Sequence, residues 1–174
     1  MWDSDAPGLP ETARTVLVLA PTMAGSDACA ALAGRGDRVL LVGYASVTEA
    51  DLQDRLEARF EERPPVRSLG VGDGIEPGDL TAQEVTVAET LAPGTAVCFD
   101  AVGALLQYAD REQVFQFVHI LAERCAEASA TMHFHLDPAA VDERTVAALS
   151  TLMDAVVRVE AGDVAVRPEL TGKD

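Results

Sequence analysis

The stretch from Thr15 to Asp27 reads TVLVLAPTMAGSD, and its pattern decides the fold. Residues 15–20 form a continuous apolar run, which predicts a buried strand. Residues 21–25 carry Pro and Gly and predict a tight loop, and the Ser-Asp pair at 26–27 predicts the start of a helix. A strand, a loop and a helix in this order form the frame in which a phosphate-binding loop lies.

The loop keeps the position of a phosphate-binding loop but not its ligands. Such a loop reads G-x-x-x-x-G-K-[ST], in which the lysine contacts the phosphates and the hydroxyl contacts magnesium. In this chain Ala20 stands at the first glycine and Gly25 at the second. Ser26 occupies the lysine position and Asp27 the Ser/Thr position. The order of strand, loop and helix is that of a nucleotide site. A carboxylate at Asp27 would repel a polyanion, however, so the sequence argues against nucleotide hydrolysis.

The chain is acidic and nearly free of lysine. Its 174 residues include 29 acidic and 13 basic side chains, for a net charge of −16, and Lys173 is the one lysine. This balance excludes a general nucleic-acid surface and disfavours binding to anionic membranes. The acidity indicates either a well-solvated surface or adaptation to a cytoplasm at molar salt, and we favour the salt interpretation. The N-terminus has no signal-peptide pattern and no apolar run could span a bilayer, so we expect a cytoplasmic protein.

Beyond the first strand, short apolar runs alternate with helical patterns, as in βαβ units. Further strands are predicted over 39–42, 66–71, 96–100, 131–136, 155–160 and 163–167, and helices over 48–63, 81–91, 110–128 and 142–152. Thr48 and Asp142 are predicted to be helix N-caps. Asp110 and Gln113 have the spacing of a capping box, and the last two strands predict an antiparallel hairpin. We expect an α/β fold with a mainly parallel sheet flanked by helices on both faces. It forms one domain over 14–168, with a flexible acidic arm over 1–13 and a tail over 169–174.

Asp100 ends the apolar strand predicted over 96–100. In an open α/β sheet, ligands gather at the carboxyl ends of the strands, and a carboxylate there can hold magnesium beside a nucleotide. Alternatively, Asp100 is the N-cap of the turn over 101–105. The sequence leaves both roles open.

His133, His135 and Asp137 alternate along the late strand and share one of its faces if the strand reaches Asp137. Two imidazoles and a carboxylate could bind Zn²⁺ or Fe²⁺. The alternative is that these polar residues line the end of the sheet and Asp137 starts a turn with Pro138. The sequence identifies no further, non-local ligand.

The three cysteines, Cys29, Cys98 and Cys125, lie far apart and follow no metal or redox spacing. Each lies in an apolar stretch. We therefore expect three buried free thiols, as in a reducing compartment.

Two stretches carry a family resemblance. VCFDAVGALLQY, over 97–108, resembles the Walker B strand and following segment of RecA/KaiC-type ATPase domains. The stretch from Thr131 through HFHLDP to LMDAVV, ending at 157, is similar to their late strand, helix and terminal hairpin. With its acidic composition, the chain resembles haloarchaeal RecA/KaiC-like proteins with degenerate nucleotide loops. The resemblance implies a RecA-like sheet, partner complexes or oligomers, and nucleotide and magnesium positions at Gly25, Ser26, Asp27 and Asp100.

These observations favour a non-catalytic RecA/KaiC-like domain that acts in regulation or assembly through protein contacts. Its partner is another protein or a second copy of the chain, with no nucleic acid and no membrane, and no cofactor is expected. The alternative is a residual nucleotide-binding protein or weak ATPase that uses the Gly25 loop with ATP, and Asp100 with Mg²⁺. A small metal-dependent protein built on the histidine strand is a third option.

Overall fold

The computed structural model describes residues 13–21, 25–43, 49–70, 76, 78–100, 102–160 and 163–167. The predicted tail, nearly all of the predicted arm and the proposed helix cap at Thr48 lie outside these residues. The strands are β1 Thr15–Leu19, β2 Arg38–Gly43, β3 Val66–Gly70, β4 Thr95–Asp100, β5 Thr131–Leu136, β6 Ala155–Glu160 and β7 Asp163–Arg167. The helices are α1 Gly25–Ala33, α2 Glu49–Arg59, α3 Leu80–Thr90, α4 Val102–Leu105, α5 Arg111–Glu127 and α6 Glu143–Ser150, with a short 3-10 helix over Pro138–Ala140.

The seven strands form one sheet in the order β3-β2-β4-β5-β1-β6-β7. Neighbouring strands from β3 to β6 are parallel, and β6 pairs with β7 antiparallel. The predicted mainly parallel α/β sheet with a terminal hairpin is thereby confirmed. Because β5 is inserted between β1 and β4, the carboxyl ends of these three strands lie side by side.

Successive side chains along each strand point to opposite faces of the sheet, and each face packs into its own hydrophobic core. On one face, Leu17 of β1 and Phe134 of β5 pack with the buried residues of α3, α4, α5 and α6. On the other face, Val16 and Val18 pack against α1, and Leu41 packs with α1 and α2. Helices therefore cover both faces of the sheet, as the sequence predicts.

The longest helix, α5, begins with the predicted capping box. The Asp110 carboxylate accepts the backbone N–H of Gln113 at 2.9 Å, and the Gln113 side chain accepts the N–H of Asp110 at 3.1 Å. The buried stripe of α5 includes Phe117, whose ring meets that of Phe99 edge-on at 5.7 Å between centroids. This contact fixes α5 over β4.

Asp142 is the N-cap of α6, as predicted, and its carboxylate accepts the N–H of Thr145 at 2.8 Å. These hydrogen bonds to Thr145, and after them the nearby Arg111 and Arg144, lower the pKa of Asp142. Within the part of the chain that the structure describes, no helix combines the length and apolar character needed to cross a bilayer.

Candidate functional site

The positions predicted for a nucleotide lie along one edge of the sheet. Leu19, at the end of β1, is in register with Leu136 of β5, and Ala20 donates its N–H to the Leu136 carbonyl at 3.1 Å. Asp100 ends β4 on the other side of β5 and is in register with Gly43. The end of β1 and the position of Asp100 thus lie at the same carboxyl edge, with β5 between them.

Helix α1 begins at Gly25, so Ser26 and Asp27 belong to its first turn. The first backbone N–H groups of a helix have no partner within it and attract anions. The side chains of Ser26, Asp27 and Asp100 lie outside the described part of the structure. Both interpretations of Asp100, as a magnesium ligand and as an N-cap, stay predictions.

Asp137 follows β5 at this same edge and starts a turn. Its carboxylate accepts the backbone N–H of Ala139 at 2.9 Å, and it is the N-cap of the 3-10 helix over Pro138–Ala140. That is the turn start that the sequence offered as the alternative to metal binding. A joint metal role for Asp137 with His133 and His135 stays a prediction.

A group of four buried metal-ligating side chains lies beneath α1, on the face of the sheet opposite α5. They are Cys29 from α1, Cys98 from β4, and His133 and His135 from β5. The four ligand atoms all lie within 4.8 Å of one another. We call these residues the Cys/His cluster.

The sheet register explains the Cys/His cluster. Cys98 and His133 are directly opposed on the paired strands β4 and β5, and His135 is two residues further along β5 on the same face. The two imidazole rings lie 5.7 Å apart between centroids. Cys29 of α1 packs against these strand residues, and its Sγ lies 3.4 Å from His133 Nε2.

The expectation of three free thiols is wrong for two of them. Cys29 and Cys98 are joined by a disulfide, with their Cα atoms 6.6 Å apart, whereas Cys125 is free and buried. The pair is separated by 69 residues in sequence and meets because α1 lies across β4. A spacing search along the chain finds only local pairs, so it cannot find this one.

Its buried environment favours the neutral form of the His133 imidazole. Burial, followed by the charges of His135 and Arg35, holds the pKa of His133 well below its usual range. One ring nitrogen of a neutral imidazole carries a free lone pair, which is the form that binds metals.

Apolar side chains lie on both sides of the Cys/His cluster. One group contains Val16, Val18 and Leu32, and the other contains Leu41 and Leu52 together with both bonded cysteines. His133 is 2% exposed and His135 is 7% exposed. Two imidazoles at the centre of an apolar layer are costly to bury unless their nitrogens are engaged.

A cavity of about 300 Å³ opens at the opposite, amino edge of the sheet, beside α5. Among its lining residues, Asp154 accepts the backbone N–H groups of Arg14 at 2.8 Å and Thr15 at 3.3 Å. His119 and Glu123 lie 3.5 Å apart on the α5 side. The Asp154 carboxylate therefore holds the start of β1 in place, and the cavity is distant from the positions predicted for a nucleotide.

The strand order and the parallel register are those of a RecA-like α/β fold. The model of a family of unknown function, DUF7504, matches residues 73–159, which is half of the chain. The chain belongs to this family. The matched segment contains Cys98, Asp100 and both cluster histidines, but neither Cys29 nor the loop after β1.

Solved structures give the same fold. The chain is similar to the flagellar accessory protein FlaH from Methanocaldococcus jannaschii, with a TM-score of 0.57 and 14% identity over 88% of this chain and 75% of that one. It is also similar to a structural-project protein from Pyrococcus horikoshii OT3, with a TM-score of 0.53 and 9% identity over 88% of this chain and 85% of that one. No curated protein matches the sequence. Identities this low establish the fold alone.

Proposed function

We propose that this protein is a non-catalytic RecA-like domain that acts in regulation or assembly through protein contacts, in a cytoplasm of high salt. One observation carries the proposal: α1 begins at Gly25, shortly after β1 ends at the carboxyl edge, yet the sequence has Ser26 and Asp27 where a phosphate-binding loop has its lysine and its hydroxyl. The chain retains the order of strand, loop and helix of a nucleotide site but lacks the lysine and hydroxyl that bind phosphate and magnesium. Its role in this proposal therefore does not involve nucleotide hydrolysis.

The electrostatic balance supports this proposal. Two like charges about 4 Å apart cost on the order of 4 kcal/mol at an effective dielectric near 20. A helix N-terminus offers an anion roughly 0.3–1 kcal/mol. With Asp27 in the first turn of α1, the repulsion exceeds the attraction, and salt reduces the penalty without reversing its sign.

The surface chemistry favours a protein partner or a second copy of the chain. With 29 acidic and 13 basic residues, the chain repels nucleic acid and anionic lipid. Among the described strands, β3 lies at one edge of the sheet and pairs only with β2, and its Arg67 and Ser68 are exposed. An edge strand of this kind can pair with a strand of another chain.

Restoring the lost ligands tests whether they set the function. We expect the double variant Ser26→Lys/Asp27→Thr to bind Mg-ATP at least tenfold more tightly than the native chain in molar KCl. Both substitutions lie in the first turn of α1, and the variant Glu49→Lys, on the exposed start of α2, is a control for the added positive charge. Equal affinities for the native chain and the double variant would contradict the proposal.

The protein-contact part has its own test. Sedimentation of the purified chain in molar KCl, combined with affinity capture from its native cells, should give an oligomer or a stoichiometric complex that does not depend on ATP. A chain that stays monomeric and retains no stoichiometric protein would overturn this part.

Residual nucleotide binding is the second candidate. It is favoured by the start of α1 at Gly25, directly at the carboxyl edge, where the helix N–H groups can bind an anion unaided. Asp100 would then hold the magnesium ion. In that case Asp100→Ala should abolish the magnesium dependence of binding and leave a weak, magnesium-independent affinity.

A further inference from the structure

The geometry points to a zinc site in the reduced protein, formed by Cys29, Cys98, His133 and His135. This inference is independent of the function proposed above. It concerns the Cys/His cluster beneath α1 rather than the loop at the carboxyl edge.

The ligand set is that of structural zinc. Two thiolates and two neutral imidazoles are a common tetrahedral donor set for Zn²⁺, and the group contains no carboxylate of the kind that Mg²⁺ or Ca²⁺ prefers. Thiolate sulfur also selects Zn²⁺ over harder ions. Asp137, which the sequence pattern would add to the histidines, is not one of the four grouped side chains, and its carboxylate caps the 3-10 helix instead.

The distances suit a four-coordinate ion. With zinc–sulfur bonds of about 2.3 Å and zinc–nitrogen bonds of about 2.0 Å, tetrahedral ligand atoms lie roughly 3.3–3.8 Å from one another. The four ligand atoms here lie within 4.8 Å of one another, and the Cys29 Sγ and His133 Nε2 atoms are already 3.4 Å apart. After reduction of the disulfide, the two sulfur atoms would move apart from bonding distance to about 3.8 Å, and rotation of the two cysteine side chains would place all four ligand atoms around one ion.

The site is closed. All four ligands are buried, and a cavity of about 10 Å³ beside His133, lined also by Arg14 and Arg35, holds at most one water. With four protein ligands and no open position, the ion would be structural rather than catalytic. It would fix α1, β4 and β5 to one another, and α1 carries Gly25 at its start.

The disulfide and the zinc site exclude each other, because both use the same two sulfur atoms. A thiol reductant takes the disulfide to two thiols and is itself oxidised to a disulfide, with two electrons and two protons passing to Cys29 and Cys98. Binding of Zn²⁺ then releases the two thiol protons, so that both cysteines bind as thiolates. The oxidised chain keeps its covalent link between α1 and β4 and has no metal site.

Cobalt titration tests the assignment. The native chain is reduced with a phosphine under anaerobic conditions in molar KCl, freed of metal with a chelator, and titrated with Co²⁺. We expect one Co²⁺ per chain, with thiolate charge-transfer absorption and the visible bands of a tetrahedral ion, and complete displacement by one equivalent of Zn²⁺. The oxidised chain should bind none.

Matched variants identify the ligands. Cys98→Ser should lower the affinity for Co²⁺ at least tenfold and weaken the charge-transfer band. Cys125→Ala, at a buried thiol outside the cluster, and Asp137→Asn, which preserves a capping side chain, should leave stoichiometry and spectrum unchanged. If Cys98→Ser fails to fold, the Cys125→Ala and native titrations still decide the matter.

Three results would overturn the assignment. One is a reduced native chain that takes up no Co²⁺ or Zn²⁺. The others are loss of the thiolate band in Cys125→Ala and a loss of affinity in Asp137→Asn as large as that in Cys98→Ser.

Discussion

At Gly94 the backbone has a φ of 86°, a left-handed conformation that side chains other than glycine rarely adopt. Its carbonyl accepts the N–H of Asp37 at 2.7 Å, which ties the start of β2 to the start of β4. A Cβ at this position would meet the Asp37 carboxylate. The turn therefore requires glycine for both conformation and space.

We expect Gly94→Ala to lower the free energy of unfolding by about 1–2 kcal/mol, because an L-residue is strained in this region and its Cβ would displace the Asp37 carboxylate. Urea denaturation in molar KCl measures the change. Gly78→Ala is the matched control, since a Cβ there would make only ordinary contacts with Tyr108. Equal effects of the two substitutions would show that the turn is not under this constraint.

Cys125 gives a pH dependence that can be assigned to one residue. Burial, opposed by Arg14 and aided by Asp154, raises the pKa of the Cys125 thiol from 9.0 to about 12. Because the folded value is the higher one, the stabilisation is complete below pH 9.0 and is lost as the pH rises toward 12.

The expected result is that the native chain loses more unfolding free energy between pH 8 and pH 10.5 than Cys125→Ala does. Urea denaturation at the two pH values, with the oxidation state of the other cysteines held fixed, gives the comparison. An identical loss in both proteins would mean that Cys125 titrates normally.

At the scale of the elements, the stability of α5 depends on the hydrogen bonds of its first turn. The capping box joins Asp110 and Gln113 through two reciprocal hydrogen bonds and satisfies N–H groups that the helix itself cannot. We expect Asp110→Ala to cost about 1 kcal/mol of unfolding free energy, measured by urea denaturation. Glu112→Ala, in the same turn but outside the box, should cost clearly less. A cost for Glu112→Ala equal to that of Asp110→Ala would assign the effect to charge at the helix start instead.

The elements themselves could be predicted from the sequence because their signals are local. The apolar runs of β1 and β4, the capping box at Asp110 and the N-cap at Asp142 are each contained in a few consecutive residues. Their type and approximate bounds follow from periodicity and capping chemistry. The contacts between residues far apart in sequence depend instead on the order of the strands in the sheet.

Of the Cys/His cluster, the sequence could predict the two histidines but not the two cysteines. The alternation of His133 and His135 places both on one face of a strand, and the sequence shows this. Their neighbours Cys98 and Cys29 become visible only when β5 is known to lie beside β4 and α1 to cross it. Contacts of that kind depend on the strand order, which no local pattern encodes.

At the scale of the whole molecule, the net charge of −16 repels itself across the surface. At molar salt the Debye length is about 3 Å, so this repulsion is suppressed, whereas at low salt it acts over many residues. We expect the Tm to fall markedly between molar KCl and low-salt buffer, measured by circular dichroism at constant reductant. A Tm that does not change with salt would contradict adaptation to high salt.

The central claim is that a triphosphate does not bind at a helix start that offers Asp27 in place of the Ser/Thr and Ser26 in place of the lysine. Isothermal titration of the native chain with Mg-ATP in molar KCl tests it most directly. We expect no binding heat up to millimolar nucleotide. A saturable isotherm with micromolar affinity would contradict it.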